Sequence, residues 1–177
     1  AQGEFLAFLD ADDFWVPEKL TVCRDFLDST KLDLVCHCEF KGYISETGFK
    51  PQSIEVHGKR ATFREILLFG NCLSPSAVVV KRQLVLDVGM FSLDPRGRGV
   101  EDWHLWLSIA KIGGKFGYID SALGYYVMHS QNMSAEVDFY DRVLHVFDTN
   151  ASNVLDGSVM SQLAVSGARH LIICKKF

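Results

Sequence analysis

No apolar run in the 177-residue sequence reaches the roughly 20 positions a membrane-spanning helix needs. The sequence also opens without the basic-then-apolar segment of a signal peptide. A basic excess is missing as well. Eighteen Lys and Arg stand against 22 Asp and Glu, for a net charge of −4. Binding to a phosphate backbone normally needs a basic face, so nucleic acid is not the expected partner. Disulfide-like cysteine spacing is absent too. Five cysteines, an odd number without a framework, favour a reducing cytosol. The Asn-x-Ser matches at Asn132 and Asn150 would matter only in a secreted protein. There is no internal repeat and no low-complexity stretch.

What is present alternates between strand and helix signals. Phe5 to Leu9 is an apolar run too short for a helix, hence a buried strand. Pro17 sits where a first helical turn tolerates proline, and 17–27 reads as a helix. Leu34 to Phe40 reads as a strand, and "SETG" within 43–49 as a hairpin turn. Thr62-Phe-Arg-Glu65 is a capping box opening a helix through Phe69. Ala77 to Lys81 is a β-branched strand, followed by a short helix, Gln83 to Asp87, stopped at Gly89. "DPRGRGV" is a glycine-rich loop leading into a helix from Glu101 to Ile112 that ends at Gly113 and Gly114. Lys115 to Ile119 and Leu123 to Met128 read as two short strands, and from Ala135 the pattern is helical. The class is α/β, and one domain is the prior for this length.

The stretch "FLAFLDADDFWVPEKL" crowds Asp10, Asp12 and Asp13 at the end of its apolar strand. Such a cluster is tolerated around a cation or as a solvated turn capping the next helix. At the carboxyl end of a sheet strand, Asp-x-Asp lies where open α/β sheets bind ligands. A hard divalent cation, Mg²⁺ or Mn²⁺, takes carboxylate oxygens there and fills its other positions with water and substrate phosphates. An EF-hand is excluded, because its glycine and glutamate positions are Trp15 and Thr21. A haloacid-dehalogenase-type phosphatase also places Asp-x-Asp after a strand, but its residues just after the second Asp are here Asp13 and Phe14.

"GEFLAFLDADDFWVPEKL" resembles the central motif of the family 2 inverting glycosyltransferases with the GT-A, Rossmann-like fold. The resemblance implies a mixed sheet flanked by helices, with Asp10 and Asp12 holding a divalent cation on a nucleotide-diphosphate sugar. Asp13 matches a frequent extra acid of that motif, expected near substrate. The resemblance also implies a Glu-Asp pair opening a helix after a glycine-rich loop, and "GRGVEDWHLWLSIAKIGGK" supplies Glu101 and Asp102. Alone, two acids in a first helical turn are usually just capping. In the family the Asp is the catalytic base, so Asp102 inherits that role and Glu101 a supporting one. Inverting transfer is one displacement, which needs one base for the acceptor hydroxyl. "YYVMHSQNMS" resembles the strand and loop after the base helix, making His129 a candidate third metal ligand or diphosphate contact. Trp103, Asn71 and Ser76 are candidates to line the acceptor pocket, while Trp106 is expected in the core.

Cys36-His37-Cys38 tempts a zinc reading, but on a strand His37 points away from the two cysteines and no second ligand pair follows. Buried structural cysteines are the expectation. Arg96 and Arg98 lie in the glycine-rich loop, where a solvated loop or an anion contact both fit. "ARHLIICKKF" suits a membrane-surface helix, and a packing helix equally well. The division expected is 1–134 as the metal-, acceptor- and base-bearing portion and 135–177 as a helical extension. The family's first nucleotide-binding βαβ portion has no counterpart in these residues, so the sequence reads as entering the domain partway and as incomplete at its N-terminus. The expected partners are a nucleotide-diphosphate sugar and a glycan or lipid-linked acceptor, with peripheral membrane contact at the inner face and self-association as further expectations. A non-catalytic binding or scaffolding fragment is the alternative outside enzymes.

Overall fold

A computed structural model describes residues 2–59, 61–129 and 139–151. Six strands form one mixed sheet: β1 (Phe5–Ala7), β2 (Phe14–Trp15), β3 (Leu34–Ser45), β4 (Gly48–Glu55), β5 (Val78–Lys81) and β6 (Phe116–Val127). Five helices accompany it: α1 (Lys19–Ser29), α2 (Phe63–Phe69), α3 (Arg82–Asp87), α4 (Glu101–Lys111) and α5 (Phe139–Ala151). The sheet order is β1-β5-β3-β6-β2, with β4 paired to the outer half of β3. The β3–β6 pair is parallel, and every other pairing is antiparallel.

Strand alternation sorts the core into two layers. Leu34, Cys36, Val78 and Val80 face α2, α4 and α5, where they meet Ile66, Trp106, Leu107 and Val146. Val35 and Val79 face α1 and meet Cys23 and Leu27. Trp106 is fully buried, as its position on the α4 stripe predicts. The helices therefore cover both faces of the sheet, the α/β arrangement expected.

Several boundaries differ from the sequence expectation for physical reasons. β1 stops at Ala7, because beyond it the chain turns away from β5 into the acidic loop. β3 and the hairpin are one continuous strand turning at Glu46-Thr47, and Gly48 takes φ +106° there. Pro51 is tolerated in β4 because that strand pairs only with β3, as an edge strand does. The two short strands expected near 115–128 are one strand, β6, whose pairing with β3 shifts register around Cys38. Cys36 and Cys38 are buried, and His37 is fully buried with Nδ1 donating to the Cys38 carbonyl oxygen at 2.7 Å. The expected boundary at 134/135 lies outside the described residues, as does "ARHLIICKKF". α5, which follows that boundary, buries Val143 and Val146 in the same core as α4.

Candidate active site

A cleft of about 1160 Å³ opens beyond the carboxyl end of β1. Its walls bring together Asp10, Asp12, Asn71, Glu101 and Asp102, residues up to 92 positions apart in sequence. The loop from β1 turns tightly, with Asp13 N–H donating to the Asp10 carbonyl at 3.2 Å, and this exposes Asp12 near the tip.

A buried anchor holds that loop in place. The Asp10 N–H donates to Ser76 Oγ at 3.0 Å. The Ser76 carbonyl accepts from Trp15 Nε1 at 2.8 Å and from Lys19 Nζ at 2.9 Å. The Lys19 ammonium also lies 3.6 Å from the Trp15 ring centre. Lys19 is fully buried, and burial pulls its ammonium down to about 8. Ser76 thus holds the acidic loop from beneath. With no exposed surface it does not edge the acceptor pocket, which corrects the sequence expectation.

Asp13 is also corrected. Its Oδ1 accepts from the Val127 N–H at 3.0 Å, tying the loop to the end of β6, and it does not border the cleft. Burial outweighs the Val127 and Ser76 contacts and lifts its carboxyl to about 6. That tie brings the end of β6 to the loop, and two residues later His129 Nε2 stands 2.5 Å from Asp12 Oδ2. Both side chains are more than a third exposed. The expected trio of Asp10, Asp12 and His129 is not gathered into one ligand cluster. Among the described residues no three His, Cys, Asp or Glu side chains converge tightly enough to hold a metal ion. Burial, then Asp12, raises the Asp10 carboxyl above its usual range.

On the opposite wall α4 begins at Glu101. The Glu101 carboxylate accepts from the Gly99 N–H, fixing the end of the glycine-rich loop against its own helix. Asp102 Oδ2 accepts from Asn71 Nδ2 at 2.6 Å, and Asn71 Oδ1 accepts from the Leu73 N–H at 3.1 Å. Asn71 is therefore oriented by backbone and in turn orients Asp102. Asp102 keeps an open edge while lying deep in the cleft. Desolvation there outweighs the Asn71 and backbone contacts and raises its carboxyl to about 7.

Trp103 differs from the sequence expectation. It is 2% exposed, and its indole N–H donates to the Ile66 carbonyl at 3.0 Å. It borders the cleft with its polar edge already bonded, so the indole N–H is taken by the fold and only a small part of the ring reaches the cleft. Arg96 pairs with Asp94, whereas Arg98 lines the cleft. Four residues escaped the sequence reading: Lys19, Glu39, Lys41 and His57. Lys41 and His57 line the cleft, and Lys41 pairs with Glu55 at 3.1 Å. Glu39 and Lys19 lie fully buried behind the acidic loop. One signal was available, because Glu39 is a charge inside an otherwise apolar strand run, "LVCHCEF".

A mixed sheet covered by helices, with an acidic loop beyond a strand facing a carboxylate at a helix start, defines a GT-A-type fold. Solved structures share it. The Staphylococcus aureus TarS 1-349 structure in complex with UDP-GlcNAc superposes with a TM-score of 0.65 at 23% identity, covering 97% of this chain and 50% of that one. The mannosyltransferase PcManGT from Pyrobaculum calidifontis, in complex with GDP-Man and Mn²⁺, gives a TM-score of 0.59 at 15% identity, covering 97% and 46%. The family model for Glycosyl transferase family 2 matches residues 1–89, half of the chain, and the chain belongs to that family. Among curated relatives, the Escherichia coli UDP-Glc:alpha-D-GlcNAc-diphosphoundecaprenol beta-1,3-glucosyltransferase WfaP is 27% identical over 135 residues, 76% of this chain and 50% of its own length. The chain spans about half the length of the curated relatives it matches. Membership of this family displaces the phosphatase reading of the acidic motif.

Proposed function

We propose that the protein transfers a sugar from a nucleotide-diphosphate sugar to an acceptor hydroxyl, with inversion at the anomeric carbon. The observation that carries this reading is the facing of Asp12 and Asp102 across one cleft. The names of the relatives support a UDP-sugar as donor and a lipid-diphosphate-linked glycan as acceptor, and that of TuaG, a putative teichuronic acid biosynthesis glycosyltransferase, supports cell-surface polysaccharide assembly.

In the proposed reaction the acceptor oxygen bonds to the anomeric carbon as the bond from that carbon to the diphosphate oxygen breaks. The electron pair leaves with the diphosphate, and the acceptor proton passes to Asp102. A base whose carboxyl sits near 7 is matched to accept that proton at neutral pH. Asn71 holds one Asp102 oxygen in place while the reaction proceeds. Glu101 keeps the glycine-rich loop against the start of the base helix.

Carboxylate oxygens beside an imidazole, all open to the cleft or solvent, suit Mn²⁺ or Mg²⁺ with diphosphate and water completing the shell. Asp12 and His129 would hold this cation with Asp10 beside them. When bound it neutralises charge on the departing diphosphate. The test is sugar transfer by the full-length protein with chelator and with Asp12→Asn. Both treatments are expected to abolish turnover while Asp12→Asn keeps the fold, and full activity in chelator refutes metal dependence.

A further inference from the structure

The two arginines of the glycine-rich loop are used differently. Arg96 is neutralised by Asp94, with Nε 3.1 Å from both carboxylate oxygens and Nη2 2.6 Å from Oδ2. Arg98 lines the cleft, and its guanidinium has no hydrogen bond or ion pair among the described residues. Lys41, which also lines the cleft, is paired with Glu55. Of the Lys and Arg side chains in the cleft wall, only Arg98 is left without an acid among the described residues.

The backbone beneath this guanidinium is fixed. The Arg98 N–H donates to the Pro95 carbonyl at 3.3 Å, and the Arg98 carbonyl accepts from Arg142 Nη1 of α5 at 2.9 Å. Gly99 follows at φ +80°, with its N–H on the Glu101 carboxylate. Gly97 is buried against α5, where a Cβ would stand 3.9 Å from His145 Cδ2. Residue 98 is thus held from α4 and α5, and only its side chain has to be ordered on a ligand. Asp102 lies four residues on, so the two Cα atoms are within about 14 Å of each other. One sugar ring and two side chains fill such a span. The same mouth is apolar. Leu93, 96% exposed and on the same loop, lines the cleft, as does Leu9, 48% exposed. A single exposed leucine is ordinary surface, but two at one cleft beside an unpaired cation join an apolar rim to a charge.

We propose that Arg98 binds the phosphate of a lipid-diphosphate-linked acceptor, with Leu93 and Leu9 against the start of its lipid chain. The inference rests on the transfer reading above. A guanidinium offers parallel N–H donors to two phosphate oxygens. Two diphosphates could meet it, the donor's or the acceptor's. The donor's continues into a ribose and a base, polar groups that gain little from exposed leucines. The acceptor's continues into hydrocarbon, which buries them. Its phosphate is also attached to the sugar whose hydroxyl would face Asp102, within the span from Arg98. Arg98 is a binding residue and takes no proton.

The test measures binding to the full-length protein by calorimetry, so it does not depend on turnover. The probes are N-acetylglucosaminyl farnesyl diphosphate, the farnesyl glycoside of N-acetylglucosamine without the diphosphate, and UDP with Mn²⁺. Arg98→Gln is expected to weaken the glycolipid diphosphate roughly 10–100-fold, the range of a charge-assisted contact, and to leave the neutral glycoside and UDP unchanged. Arg98→Lys should recover part of the loss. Leu93→Ser should weaken both farnesyl probes and leave UDP unchanged. Both side chains are exposed, so the unfolding midpoints of the variants should match wild type. A larger loss for UDP than for the glycolipid diphosphate assigns Arg98 to the donor and overturns the proposal. Equal losses for the charged and neutral glycolipids overturn it, as does no loss at all. A loss seen only in sedimentation with anionic phospholipid vesicles overturns it in favour of a membrane contact. If the glycolipid diphosphate binds through Arg98 while UDP with Mn²⁺ finds no site, the lipid contact stands and the transfer reading fails.

Discussion

Replacing Asp102 with Asn separates the two burdens this carboxyl carries. Its pKa moves from an ordinary 3.8 to about 7 on folding, chiefly through desolvation in the cleft. At about 1.36 kcal/mol per pKa unit, holding the ionised form costs the folded state at most roughly 4 kcal/mol. The open edge of the cleft admits solvent that screens this, which leaves about 1–2 kcal/mol. The sign follows from linkage. Below pH 4 the carboxyl is neutral in both states and costs nothing. As pH rises from 4 to 7 the unfolded chain releases the proton first, so wild-type stability falls, and the loss is complete above pH 7. The neutral amide of the Asp102→Asn variant carries no such penalty. Denaturant unfolding at pH 4.5 and pH 8 should therefore show the variant gaining about 1–2 kcal/mol on wild type between those values. Transfer by the full-length variant should fall by roughly 10²–10⁴ at every pH, the usual contribution of a positioned base. A stability gap that stays flat with pH, or one that favours wild type at pH 8, would refute the argument that burial raises this group.

Asn71→Ala removes a donor that stabilises ionised Asp102, so the acid limb of kcat/KM should move to higher pH. The loss should then be larger at pH 6.5 than at pH 8.5, and a parallel drop across the profile would argue against a role through Asp102. Gly42→Ala would place a Cβ 2.1 Å from the Lys50 carbonyl oxygen, at the register shift between β3 and β4. It should destabilise the protein by roughly 1–3 kcal/mol or more in denaturant unfolding, and an unchanged midpoint would contradict the hairpin register.

The fold was legible where the local signal and the tertiary outcome agree. The Thr62 capping box is present, with Glu65 N–H donating to Thr62 Oγ1 at 3.2 Å, and "SETG" makes the β3–β4 turn. The apolar stripe of α4 buries Leu105, Trp106 and Ile109 as its spacing requires. β2 was not legible. Two residues carry no periodicity, and they become a strand only because Phe14 stacks on Tyr125 at 4.4 Å across β6. At the site, residue types were legible and orientations were not. Asp10, Asp12, Glu101 and Asp102 were visible as acids at element ends. Ser76, Asp13 and Trp103 drew the same attention, yet the fold uses their polar atoms internally. Glu39 and His57 are 18 positions apart, and only the β3–β4 pairing and the Gly58 turn bring them together.

The anomeric configuration of the product tests the central claim most directly. A single displacement assisted by one carboxylate, Asp102, turns an α-linked nucleotide sugar into a β-glycoside. Proton NMR of the glycoside formed by the full-length protein should show the large anomeric coupling of a β-glucosyl linkage when UDP-glucose is the donor. An α-linked product would mean retention, and would contradict the assignment of Asp102 as the base of an inverting transfer.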